Sequence, residues 1–371
     1  MRLISSRWLA GNKTGPGGAG FSLRRVSARR LGARTSFFPA FCLALLLAAT
    51  ASAATRPHYG GALRVEISES FDAADSPAAQ RLLGALAPGF TLSQWEPGRR
   101  AVYTADENAS GGRPFLDSVE IRMARPVRDQ SIDLGLERAD VVQLGPEQVR
   151  REAAARRVWL SSPVRVAVIV FQPRIEDARL REALALAVDR AAIHAVLLQR
   201  QGEISGALLP EWISGYAFLF PDTADLARAR SLVSGLPPAS RRLTLAVEDA
   251  AWQPVAERIS LNARDAGLTV ALAAPRAAAD ARLMEARFAS LDPPHALSAL
   301  AAAFSLPVPA AGASPEALYA AESGLIEGFR VIPLFHLPDA YGVSRRVHGG
   351  PGITPLGEWR FQDLWLEGSR P

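Results

Sequence analysis

The chain is predicted to fold as an α/β protein, on three observations. Residues 243–247 alternate as a strand, residues 254–266 follow as an amphipathic helix with Val255, Ile259 and Ala263 on one side, and residues 268–272 return as a strand. Strand, helix and strand joined so closely imply a βαβ unit with parallel pairing. Residues 164–171 form an apolar, β-branched run broken only by Arg165, bounded by Pro163 and Pro173, which is the pattern of a buried strand. A second buried run, residues 331–337, stands near the end of the chain and contains Pro333.

The run at 164–171 leads into the longest helical pattern. Asp177 occupies an N-cap position. Leu180, Ala183, Leu184, Ala187, Val188, Ala191 and Ala195 then recur at three- and four-residue spacing, with Arg179, Arg181, Glu182, Asp189 and Arg190 mostly off that stripe and Gly202 as a stop.

Taken in order, residues 1–35 are rich in Arg, Gly and Ser without apolar periodicity. Residues 37–49 form a short apolar run, followed by Ala51-Ser52-Ala53. This is the pattern of a secretory signal peptide, too short for a comfortable membrane span, and it predicts a cleaved leader over 1–54 and an exported, soluble product. Eight of the 42 Lys and Arg, and none of the 37 Asp and Glu, lie in residues 1–54, so 34 basic face 37 acidic residues in the remainder. The sequence pI of about 9.9 therefore belongs to the leader and does not indicate a nucleic-acid partner. The only lysine is Lys13 and the only cysteine Cys42. Past the leader there is no Schiff-base lysine, no Walker lysine, no thiol nucleophile and no disulfide.

Residues 62–67 alternate as a strand after the Gly60-Gly61 turn, and residues 68–90 read as a helical bridge. Val119, Ile121 and Met123 alternate as a strand. A short helix is expected from Asp133 towards Val142, and a charged, exposed helix over 146–157. Residues 315–329 read as a helix with Glu316, Glu322 and Glu327 exposed, and residues 359–365 as a final amphipathic piece.

No constellation for catalysis is visible. The histidines His58, His194, His295, His336 and His348 lack metalloenzyme spacing, no G-x-S-x-G elbow occurs, and no glycine run sits between strand and helix in dinucleotide-binding order. No enzyme, cofactor or metal site is expected. Loop aromatics fit a binding module better: Trp212 and Tyr216 flank the loop after the central helix, Trp252 precedes a helix, and His336 stands in the second buried run.

The word order from Asp177 through Arg179, Arg181, Ala183, Leu184, Ala187, Val188, Asp189 and Arg190 to Ile193 resembles the crossing segment of the family 5 extracellular solute-binding proteins, the dipeptide, oligopeptide and nickel receptors of bacterial ABC importers. Residues 111–122, GGRPFLDSVEIR, resemble a later segment of the first lobe in that family, and residues 331–337 its returning segment. The usual Asn after the strand is replaced, since Gln172 follows Phe171, and the stretch between residues 68 and 90 is much shorter than in the family. The resemblance implies a two-lobed, type II periplasmic binding protein fold joined by two hinge strands. Lobe 1 would comprise residues 55–165 and 338–371, shortened, and lobe 2 residues 166–337. It further implies a monomeric periplasmic receptor that binds a small peptide or similar solute between the lobes and delivers it to an ABC transporter permease. Trp212, Tyr216, Trp252, Asp292 and His336 are the candidate ligand-binding residues. Asp292 is carried over from the ligand-binding Asp of peptide-binding relatives and lacks their aromatic neighbour. The alternative is a degenerate relative acting as a scaffold or interaction protein without a small ligand.

Overall fold

The computed structural model describes residues 57–367, apart from 156, 217–218, 220–221, 311 and 313. The expected leader lies outside the described residues. The first third of the chain builds β1 (Ala62–Glu66), α1 (Pro77–Leu83), β2 (Phe90–Glu96), β3 (Arg100–Ala105), β4 (Ser118–Arg122), α2 (Val127–Gly135), β5 (Val141–Gln143) and α3 (Pro146–Ala155). The middle supplies β6 (Arg157–Phe171), α4 (Ala178–Ala187), α5 (Arg190–Val196), β7 (Glu203–Ile204), α6 (Glu211–Ser214) and α7 (Leu226–Ser234). There follow β8 (Arg242–Val247), α8 (Gln253–Asp265), β9 (Thr269–Leu272), β10 (Ala281–Arg287), α9 (Pro293–Ala303), α10 (Pro315–Ile326) and β11 (Val331–Val343), and a short pair, β12 (Val347–His348) with β13 (Trp365–Leu366).

The described residues form one mixed sheet in the order β2-β3-β4-β1-β5-β11-β6-β10-β8-β9, with β7 attached to β11. β8 and β9 pair in parallel, as the strand–helix–strand pattern requires. The two buried runs, far apart in sequence, are neighbours: β6 and β11 run antiparallel from Val331 opposite Val170 to Val343 opposite Arg157, and Val166 faces His336. Both strands are longer than the apolar runs that announced them: β6 extends back through Pro163 into a stretch of mixed burial, and β11 continues through Pro338 into residues 339–343, which are buried but include a charged Asp339 and Gly342. Register shifts follow Pro333 and flank Pro338, where a residue without an N–H cannot continue the ladder.

Buried side chains divide along this pair. Leu63, Val119, Ile121, Trp159, Tyr341, Trp359 and Phe361 share one cluster. Ile169, Leu184, Leu245, Ile259, Leu283 and Leu334 form another on one face of the sheet, while Val166, Val168, Leu297, Phe304 and Ile326 form a third. Strand alternation explains the split between the second and third clusters, since Ala167, Ile169 and Phe171 of β6 face one layer and Val166, Val168 and Val170 the other.

Several expectations are corrected. The central helix is two helices: Val188 is extended, and Asp189 caps α5 by accepting from Ala192 N at 2.9 Å. Arg181 and Arg190, off the apolar stripe, are nevertheless buried. Arg190 donates to the Pro333 carbonyl through Nε (3.1 Å) and Nη2 (3.0 Å), filling the gap that the shifted register opens in β11. Arg181 donates to Gly328 O and Ile175 O at 2.7 and 2.6 Å. The helix expected from Asp133 starts earlier, at Val127, and only residues 77–86 of the expected 68–90 bridge are helical. Glu322, expected at the surface, is fully buried. Its Oε1 accepts from Leu208 N (2.5 Å) and Leu209 N (3.0 Å), and its Oε2 from Tyr216 Oη (2.5 Å). The carboxylate satisfies a turn that has no strand partner, as a buried ion must.

Candidate functional site

The side chains with chemistry to offer converge where β6 and β11 pass between the buried clusters. Arg165, the one break in the first apolar run, leaves β6 to pair with Glu285 of β10 through Nη1 (2.6 Å) and with Asp339 of β11 through Nε (3.1 Å). Its Nη2 donates to Pro338 O at 2.7 Å. Arg287, opposite Arg165 in the ladder, pairs with Asp339 and donates to Leu356 O at 2.7 Å. Burial works against the charge on Arg165, but Glu285 and Asp339 outweigh it and hold the guanidinium above its ordinary pKa. The four groups form a chain of alternating charge that ties the sheet to residues 354–357.

Around this chain stand a tryptophan on each of two elements. Trp212 of α6 is 42% exposed and its indole donates to Pro163 O at 3.1 Å. Trp252, at the entry to α8, is buried and donates to Glu285 Oε2 at 3.2 Å. The charge of Glu69 reaches both Arg165 and Tyr341, and its exposed carboxylate accepts from Gln143 Nε2 at 2.6 Å. Beside Arg165 a cavity of about 20 Å³ opens between Val149, Leu337 and Pro338, room for about one water.

Of the five candidate residues, the structure brings Trp212 and Trp252 to this crossing. The other three lie elsewhere or are engaged. Tyr216 is bonded to Glu322 and packs edge-on against Tyr319 at 5.3 Å between ring centres. Burial, then the Glu322 charge, raises its phenol above the ordinary value. His336 is buried within β11, its Nε2 3.1 Å from Leu208 O and 3.4 Å from Ser205 Oγ. Asp292 is the N-cap of α9, accepting from His295 N at 3.2 Å. The charged chain of Arg165, Glu285, Arg287 and Asp339 was not singled out. Its one signal was a charged residue inside an otherwise apolar strand, which demands a partner once buried.

Among the described residues no group of His, Cys, Asp or Glu is arranged to hold a metal ion, and no helix is long and apolar enough to cross a membrane. A mixed α/β fold on one large sheet, with β6 and β11 paired at its middle, matches the two-lobed, type II periplasmic binding proteins. Residues 44–305 match the bacterial extracellular solute-binding proteins, family 5 Middle, and the chain belongs to that family. Among solved structures it is similar to the ABC transporter substrate-binding protein CtaP of Listeria monocytogenes (16% identity, TM-score 0.61) over 75% of this chain and 66% of that one. It is likewise similar to NikZ of Campylobacter jejuni in complex with Ni(L-His) (15%, TM-score 0.63; 75% and 67%) and to a dipeptide-binding protein of Pseudoalteromonas in complex with Met-Leu (14%, TM-score 0.61; 75% and 64%). The chain thus spans about two thirds or less of the length of these relatives. No curated protein matches it in sequence.

Proposed function

We propose that the protein is a periplasmic receptor of an ABC importer, exported by a cleaved signal peptide. It takes a small peptide or similar solute between lobe 1 (55–165 with 338–371) and lobe 2 (166–337) and hands it, as a monomer, to a membrane permease. The observation that carries this reading is the β6–β11 ribbon, which runs between buried clusters, carries Arg165 and Asp339, and has Trp212 of α6 and Trp252 before α8 bonded at Pro163 and Glu285 beside it. The relatives in complex with Met-Leu and with Ni(L-His) support a peptide-like or amino-acid-chelate ligand. In this reading Glu69 offers its carboxylate to a ligand ammonium and Trp212 an apolar face to side chains of varied shape. Approach of the lobes is a hinge motion at the register shifts of β11.

A second reading, a relative that serves as a scaffold without a small ligand, is favoured by two observations. Arg165, Glu285, Arg287 and Asp339 already pair with one another, and the chain covers only 66% of the CtaP structure. Native mass spectrometry of residues 55–371, produced with export, separates the two. The receptor retains a peptide-sized mass that is lost on denaturation, or binds Met-Leu and related dipeptides saturably in calorimetry. A bare mass together with no heat from a dipeptide library would leave the scaffold reading standing.

A further inference from the structure

A cavity of about 840 Å³ lies in the second half of the chain, at the Phe171 end of β6 and so remote from the Arg165 crossing. Its floor is the sheet, through Met284 and Val170, and its walls are Phe304, Leu306 and Leu325 from the ends of α9 and α10. The volume falls within the range of about 300–1,000 Å³ in which small-molecule sites lie, and the body of the cavity is apolar.

The rim carries a surplus of positive charge. Arg282, Arg330, Glu327 and Gln172 line it. Arg282 pairs with Glu248 through Nη1 at 2.7 Å, yet its Nε is buried without an acceptor. Arg330 forms no ion pair among the described residues; its Nη1 donates only to Pro173 O at 3.2 Å. Arg181, just behind at Gly328, bonds two carbonyls and no carboxylate. Burial, then the neighbouring charge of Arg330, lowers its pKa. Three guanidinium groups thus stand near Glu248, Glu327 and Asp177, and of the two that line the cavity Arg330 is the one without an ion pair among the described residues. At the rim Arg330 lacks a counter-charge, and an anion supplies it.

We propose that this cavity is a second binding site, for an amphipathic carboxylate: an apolar chain lies among Met284, Phe304, Leu306 and Leu325, and its carboxylate accepts from Arg330 and Arg282. The site is independent of whatever occupies the β6–β11 crossing, so it survives failure of the receptor reading.

The test is calorimetric titration of residues 55–371, delipidated, with decanoate and with decanamide, which keeps the chain and removes the charge. Three proteins are compared: the unsubstituted chain, Arg330→Gln, which keeps a donor to Pro173 O, and Leu306→Trp, which fills the cavity. Far-UV circular dichroism and a melting curve on each exclude misfolding as the cause of any loss. The expected result is one saturable decanoate site, about tenfold weaker binding of decanamide and of decanoate to Arg330→Gln, and loss of both ligands with Leu306→Trp. Absence of saturable binding by the unsubstituted chain overturns the proposal. So does decanoate affinity unchanged by both substitutions, and loss with Leu306→Trp alone overturns the assignment of the carboxylate to Arg330.

Discussion

Burial in β11, opposed by bonds from the 205–208 loop, pushes the His336 imidazole from 6.5 down to about 4. The folded state therefore resists the proton that the unfolded chain accepts at about 6.5, and stability is lost as pH falls through this window. Between pH 7 and pH 5 the unfolding free energy is expected to drop by about 2 kcal/mol on this account. Urea midpoints at the two pH values, compared with those of His336→Gln, isolate the contribution. Equal losses in both proteins would show that His336 has no part in it. Tyr216 invites a second measurement. Its hydroxyl is one of three donors that hold the buried Glu322 carboxylate. Tyr216→Phe is expected to cost about 1–3 kcal/mol of stability by leaving Oε2 unpartnered, seen as a lower urea midpoint at unchanged slope. An unchanged midpoint would mean that water replaces the phenol.

At the scale of elements, the strands and their pairing could be read from the sequence more fully than the helices' boundaries. The parallel β8–β9 unit follows directly from alternation and periodicity. The break at Val188 did not, because the apolar stripe runs through it unchanged; only the Asp-Arg pair at 189–190 marks a new cap. That cap is testable: Asp189→Ala should destabilise the protein by about 1 kcal/mol, and a melting temperature equal to that of the parent would refute the role. Buried Arg181 and Arg190 escaped periodicity because guanidinium groups normally signal solvent. Here each is drawn inward by carbonyls that a register shift or a kink leaves without donors. The site was half legible. Trp212 and Trp252 stand out in the sequence as loop aromatics and lie beside the crossing, whereas Glu285, Arg287 and Asp339 have no local signature. Their meeting depends on β10 and β11 flanking β6, a property of topology alone.

For the whole molecule, the Arg165–Asp339–Arg287 chain fastens the 354–357 segment to the sheet through the Leu356 carbonyl. Arg287→Ala should loosen this segment: amide hydrogen exchange at Gly357, whose N–H bonds Thr354 O at 2.9 Å, is expected to accelerate at least several-fold while β8 is unaffected. Equal exchange in both proteins would assign the fastening to Trp359 and Phe361 instead. The β6–β11 pairing bears on the order of folding. β5 and β6 have no ladder to each other; what joins them is β11, which pairs with both. Before β11 is in place, β2-β3-β4-β1-β5 and β6-β10-β8-β9 are two part-sheets whose facing edges are open. A sheet closed this way waits on one pairing of segments far apart in sequence, the slow kind of step in folding.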